Sequence, residues 1–429
     1  MENKVWDVAI VGGGLAGYIA ANYLAKSNIS VVLIEKGKEV GGRARTNNIK
    51  GLYFNLGPHA LYKKGEAKLI LEDLGINLEG KTPKLNGSFV DGKHEFDAPF
   101  TPLKLITTKH FNWKERLEFI KILMEIKKTD TNKVKDLTFK QWLEQRINSN
   151  NVRSFIVVLG RLATYCHTPE KVSANVIINH LKLVMGGVKY LDGGWQSMID
   201  QLHNKAIASG VSVKKQRNVI KITPNDNDLF QLKLSNDQVI LSNEVICTTS
   251  PHELNRMLNK RYTEVSEHFH PVCGATLDVA LSRLPNANKL LALGLHEPLY
   301  YSVHSTFAKL SDHEDGVVLH VFRYFHPDEK IESKQIKLEL EQFLDRIQPG
   351  WRKYEIASRC LPHLVVNQRV PQIGDEKNLS YIETDIDRLY IAGDWTSSDL
   401  ILSEAAVSSG KRAAEEILRF RKGEDRIGN

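Results

Sequence analysis

One stretch constrains this chain more than any other: Val8-Ala9-Ile10-Val11-Gly12-Gly13-Gly14-Leu15-Ala16-Gly17. Four apolar residues suit a buried parallel strand. They run straight into G-x-G-x-x-G, with Gly12, Gly14 and Gly17 on the three glycine positions. Such glycines permit a tight turn, let main chain approach a pyrophosphate, and let helix pack on strand. A helix is expected over about 16–27, its N-terminal N–H groups favouring an anion. A second strand, Ser30 to Ile34, ends at Glu35. A carboxylate there suits ribose hydroxyls and argues against a phosphate on that sugar. A lone glycine motif is weak, but strand, turn, helix, strand and acid in this order predict a dinucleotide site.

The residues that follow narrow the dinucleotide. Lys36-Gly37-Lys38-Glu39-Val40-Gly41-Gly42-Arg43-Ala44-Arg45-Thr46 resembles the second glycine motif of the flavoproteins that include amine oxidases, phytoene desaturases and protoporphyrinogen oxidases. The resemblance continues through Phe54 to His59, Leu191 to Trp195, Val219 to Ile222, Glu244 to Pro251 and Leu361 to Val366. It ends on Ala392-Gly393-Asp394-Trp395-Thr396 and Ser403-Glu404-Ala405-Ala406. It is closest to phytoene desaturase-like oxidoreductases, which carry Gly-Asp-Trp or Gly-Asp-Tyr where amine oxidases more often show Gly-Glu-His-Thr.

The resemblance implies an α/β fold: a Rossmann-type FAD-binding domain (glutathione-reductase-like, amine oxidase subfamily) with an inserted α+β substrate domain. It assigns to a non-covalent FAD the residues Gly12, Gly14, Leu15, Ala16, Gly17, Glu35, Lys36, Gly42, Arg43, Gly57, Pro58 and His59. Val219 (by its backbone, at the adenine), Gly393, Asp394, Ser403 and Ala405 complete the set. His59 is the one titratable side chain placed near the flavin, as a catalytic group or as a ring bonded to its own backbone. Trp395 is a candidate wall of the substrate site. The FAD domain is expected to be discontinuous, over about 1–90, 190–262 and 352–429, with 91–189 and 263–351 forming the substrate domain. A terminal helix is expected over about 403–420, capped by Ser403 or Asp399. Gly410 breaks its propensity, which points to close packing on the first helix or the cofactor.

Composition sets looser bounds. With 42% apolar content over 429 residues, the chain can bury more than one ordinary core. Its four cysteines are scattered, show no metal spacing and fit a reduced, cytoplasmic protein. None follows Cys360, so no thioether to flavin is expected from the C-terminal segment. No run of about twenty apolar residues predicts a membrane span. The net charge of +7 is diffuse. Its clearest concentration, Trp113 to Lys128, reads either as a helix lying on an anionic membrane or as one packing its apolar side into the core. The histidines between 250 and 330 lack metal-ligand spacing and read as scattered surface or core residues. No metal site, nucleic-acid motif or nucleophile elbow is evident.

The function expected is removal of a hydride from a C–C or C–N bond of a small, hydrophobic substrate by FAD, with the electron acceptor open. The alternative is a flavin amine oxidase. Further alternatives are an FAD-dependent isomerase and a non-enzymatic binding protein like the GDP-dissociation inhibitors. The protein is expected in the cytoplasm, or peripherally on a membrane.

Overall fold

The computed structural model describes residues 4–423, apart from positions 85, 226, 227, 315 and 331. The first three and last six residues, which fall in the expected FAD domain, lie outside the described residues.

A first sheet of seven strands grows from the βαβ unit. Val5–Val11 pairs in parallel with Val31–Ile34 on one side and Val239–Cys247 on the other. Ser212–Lys214 and Leu389–Ile391 add further parallel strands, and the antiparallel hairpin Val219–Pro224 / Phe230–Leu234 pairs beside the start of Val239–Cys247. Strands covered on both faces must be apolar throughout. Val8 and Ile10 accordingly point into one core, against the phosphate helix Leu15–Ala25, the terminal helix Leu402–Arg421 and the helix Gln196–Ala208. Ala9 and Val11 point into another, with Leu254, Met257 and Leu379.

A second sheet, also of seven strands, runs in the order Glu355–Asn367, Val272–Leu281, Val317–Tyr324, Leu299–Val303, Leu291–Gly294, Ser88–Asp91, His94–Asp97. The helix Ser333–Ile347 covers one face through Ile336, Leu340 and Phe343. Phe322 and Tyr324 point the other way, into a helical block built from Trp113–Lys128, Phe139–Glu144, Asn150–Thr164 and Ala174–Met185. No helix among the described residues is long and apolar enough to cross a membrane.

Two sequence expectations need correction. All but the last residue of Ser88–Asp91, and the whole of Glu355–Asn367, fall within the expected FAD segments 1–90 and 352–429, yet both are strands of the second sheet. The glycine motif fixes the chain only from Leu389 onward, so the segment before it is free to pair with Val272–Leu281. The terminal helix has no side-chain cap: Ile401 occupies the cap position, Ser403 already lies in the first turn, and Asp399 accepts a hydrogen bond from the Ser397 hydroxyl. Gly410 does pack against the phosphate helix, where an added Cβ would stand 2.5 Å from the Ala16 carbonyl oxygen.

Candidate cofactor site and substrate cavity

A cavity of about 1110 Å³ begins at the phosphate turn and continues between the two sheets into the helical block. Each motif glycine has its own steric reason. A Cβ on Gly12 would collide with Thr248, and one on Gly17 with the Gly12 carbonyl. Gly14 has nothing within 4 Å of its Cβ position and lines the cavity, an open face that close main-chain approach by a ligand requires. Glu35 braces this turn, its carboxylate accepting from Gly13 N–H (2.7 Å) and Gly37 N–H (2.6 Å).

The glycine motifs from opposite ends of the chain meet at Arg43 and Asp394. The Arg43 guanidinium bonds both oxygens of Asp394, with Nη2–Oδ1 at 2.7 Å, and also donates to the Val366 carbonyl (2.9 Å). Gln368 N–H donates to the same carboxylate at 3.0 Å. Burial pulls the Arg43 pKa down, but the charge and hydrogen bonds of Asp394 outweigh it and hold it above its ordinary value. His59 stands nearby, with Nδ1 2.9 Å from the Gly57 carbonyl and its ring 4.7 Å from that of Trp195. A carbonyl only accepts, so Nδ1 carries the proton. Burial lowers the His59 pKa to about 4.

Beyond this point the wall is aromatic and then aliphatic. His304 stacks on Tyr190 with ring centroids 3.8 Å apart, and its Nε2 lies 3.4 Å from the Tyr300 hydroxyl. Tyr300 in turn donates to Ser302 at 2.5 Å. Burial pushes the His304 pKa well below its ordinary value. Behind it, His320 lies with its ring centroid 4.6 Å from that of His304, and its Nδ1 lies 2.7 Å from Asp278. Asp278 also accepts from Thr276 (2.7 Å) and from Arg359 Nε (3.1 Å). Burial raises the Asp278 pKa, yet His320 and Arg359 together bring it below the usual carboxylate value. Further out the lining is Phe100, Phe119, Leu123, Leu159, Leu162 and Val184.

The chain matches the family of flavin containing amine oxidoreductases over residues 15–418. It belongs to that family. Among its relatives, the 15-cis-phytoene desaturase of an Oncidium hybrid cultivar is 24% identical over 97% of this chain and 78% of its own length. The 4,4'-diaponeurosporene oxygenase of Staphylococcus haemolyticus is 22% identical, the match spanning 62% of this chain and only 60% of that relative. A probable flavin-containing monoamine oxidase A of Dictyostelium discoideum is 20% identical over 97% and 98%. Two solved structures share the fold. An oxidoreductase from Methanosarcina mazei superposes with a TM-score of 0.76 at 16% identity, covering 95% of this chain and 100% of that one. Putrescine oxidase bound to putrescine gives 0.75 at 16%, over 97% and 99%.

FAD, the cofactor of flavin containing amine oxidoreductases, fits the residues present. Gly14 offers its open face, and the indole N–H of Trp195, a buried donor on the cavity wall, has no partner within the protein. Of the residues expected from sequence, Gly14, Leu15, Ala16, Lys36, Gly42, Arg43, Gly57, Pro58, His59, Gly393, Asp394 and Ser403 line the cavity. Gly12, Gly17, Glu35, Val219 and Ala405 are not among the residues that line it. Trp395 is a correction. It is 1% exposed, packs near Phe269 in the core below the first sheet, and donates its indole N–H to the Thr249 carbonyl (2.9 Å), so it forms no wall. The sequence reading missed Tyr190, Tyr300 and the pair His304–His320. The signal for the pair was Asp278, a carboxylate inside the apolar strand Val272–Leu281, since a buried charge requires a partner.

Proposed function

We propose that this chain is an FAD-dependent dehydrogenase or desaturase that takes a hydride from a C–H bond, leaving a C–C double bond, in a neutral, hydrophobic small molecule held in the cavity. One observation carries the choice of substrate. Beyond the aromatic wall the lining is mostly apolar, its charged members there are the lysines Lys84 and Lys127, and both acids among its described lining residues are already paired, Asp394 with Arg43 and Glu253 with Arg256. An ammonium group would find no free counter-charge there, whereas an apolar chain exchanges water for Phe, Leu and Val.

Gly14, Arg43, His59 and Gly393 would hold the cofactor. When bound, FAD accepts the hydride. The chain's own residues orient the substrate and exclude water. Desaturation also releases a proton from the neighbouring carbon. Three imidazoles among the described residues line the cavity wall, His59, His304 and His363, and His304, which stands beside Tyr300, would take it at a ring nitrogen. The reading is tested by mixing the flavin-loaded protein anaerobically with an isoprenoid-rich lipid extract and, separately, with an amine panel. Loss of the oxidised-flavin absorbance with the lipid supports it. Loss with amines alone replaces it with amine oxidation.

A further inference from the structure

The helix Trp113–Lys128 has two apolar faces, and the protein covers one of them. Phe119, Ile122 and Ile126 are buried in the helical block. Trp113, Leu117, Ile120 and Met124 recur at helical spacing on the other side. Leu103 and Ile106 belong to the preceding short helix Pro102–Thr107, and all six side chains are between 40% and 71% exposed. The remaining exposed large hydrophobics are scattered along the chain, so this concentration is a patch rather than ordinary surface.

Charge tells what the patch faces. Between positions 101 and 128 the chain has seven lysines and arginines against three glutamates. The glutamates are engaged by protein. Glu115 accepts from Asn112 N–H (2.9 Å) and the Ser149 hydroxyl (2.7 Å). Glu118 accepts from the N–H groups of Asn148 and Ser149, and Glu125 pairs with Arg146 at 2.6 Å. Lys109, Lys114, Lys121, Lys127 and Lys128 are exposed. A narrow apolar stripe rimmed by lysines matches the acyl boundary and anionic headgroups of a bilayer.

The same helix reaches the cavity. Leu123 and Lys127 line it, each three residues beyond Ile120 and Met124 of the stripe. Met185 both lines the cavity and is exposed, so the cavity meets the surface there.

We propose that this face docks on an anionic phospholipid bilayer, with the six apolar side chains in the interface, the lysines at the headgroups and the cavity mouth beside the lipid. Passage of substrate from lipid into the cavity rests on the apolar-substrate reading above. The docking does not, and the assay reads docking alone. Flavin-loaded protein is sedimented with phosphatidylcholine vesicles, with or without phosphatidylglycerol. It is expected to pellet with the anionic vesicles and to be released by salt. The variant Trp113→Ser/Leu117→Ser/Met124→Ser should lower the partition coefficient at least about tenfold. Lys109→Gln/Lys114→Gln/Lys121→Gln should lower it by roughly fivefold per lysine. Both sets are exposed, so flavin content and the unfolding transition should stay unchanged. The absence of sedimentation with either vesicle overturns the proposal, as does equal partition of the serine variant and its parent. Flavin reduction by detergent-dispersed lipid in that case leaves the functional reading standing and removes the docking alone.

Discussion

Gly410→Ala sets two physical effects of opposite sign against each other. Helix propensity favours alanine over glycine by about 1 kcal/mol. Packing opposes it, because the new Cβ would stand 2.5 Å from the Ala16 carbonyl oxygen and 3.2 Å from the Ala16 carbonyl carbon and Cα. Ordinary contact begins at 3.4 Å, so the terminal and phosphate helices must part by about 0.9 Å at this point. The obstacle is main chain within a helix, so no rotamer change relieves it. Forcing an extra carbon into a packed interior costs about 1–3 kcal/mol. The net result is a loss of up to about 2 kcal/mol, concentrated where it displaces the phosphate turn. The Ser409 hydroxyl accepts from Gly393 N–H at 2.9 Å, so the same shift disturbs the C-terminal glycine motif as well. Urea unfolding followed by circular dichroism, together with flavin bound per polypeptide, measures both effects. The midpoint and the flavin content should fall together. A variant as stable as its parent and fully loaded with flavin would refute the reasoning, because propensity would then have outweighed the contact.

Gly14→Glu fills the open face of the phosphate turn, and Glu35→Lys removes the acceptor of two main-chain N–H bonds. Both should give folded, flavin-poor protein, and normal flavin absorbance in both would defeat the cofactor assignment. Asp394→Asn leaves the Arg43 guanidinium without its anion, and stability should drop by about 1–3 kcal/mol along with flavin retention. An unchanged denaturation midpoint counts against that pair. Burial lowers the pKa values of His59 and His167 to about 4 and of His180 to about 3, and lowers that of His304 well below its ordinary value. Unfolded histidines titrate near 6.5, so between there and pH 4 the unfolded chain binds more protons and stability falls with acidification. Glu404, raised by burial to about 7, binds its proton in the folded state and works in the opposite sense from pH 4.5 to 7. Unfolding near pH 5.5 should therefore take up about three protons, read from the slope of unfolding free energy against pH. Glu404→Gln should make that slope steeper and the protein more stable at neutral pH, and a flatter slope would contradict both assignments.

Legibility in the sequence depended on whether a residue had one physical reason or several. The phosphate turn was legible because Gly12, Gly14 and Gly17 each answer one steric demand, and because strands buried on both faces leave no polar alternation to misread. Caps were not, since Ser403 is a good cap only if the helix begins two residues later than it does. Trp395 was misplaced by adjacency: the side chain after Asp394 leaves the backbone in another direction and enters the core. Trp113–Lys128 has apolar residues on two sides, so no periodicity could say which side the protein would leave open. The polar wall was hidden for a further reason. Asp278, His320 and Arg359 are far apart in the chain. They come together because the strand Val272–Leu281 pairs with Val317–Tyr324 on one edge and Glu355–Asn367 on the other, placing His320 and Arg359 each directly opposite Asp278. Each looks like a scattered polar residue until the register is known. A carboxylate in an apolar strand nevertheless demands two or more donors from its neighbours. Asp278 by itself therefore favours, as flanking strands, those apolar segments that carry a histidine or an arginine in their interior, and both of its actual neighbours meet that condition.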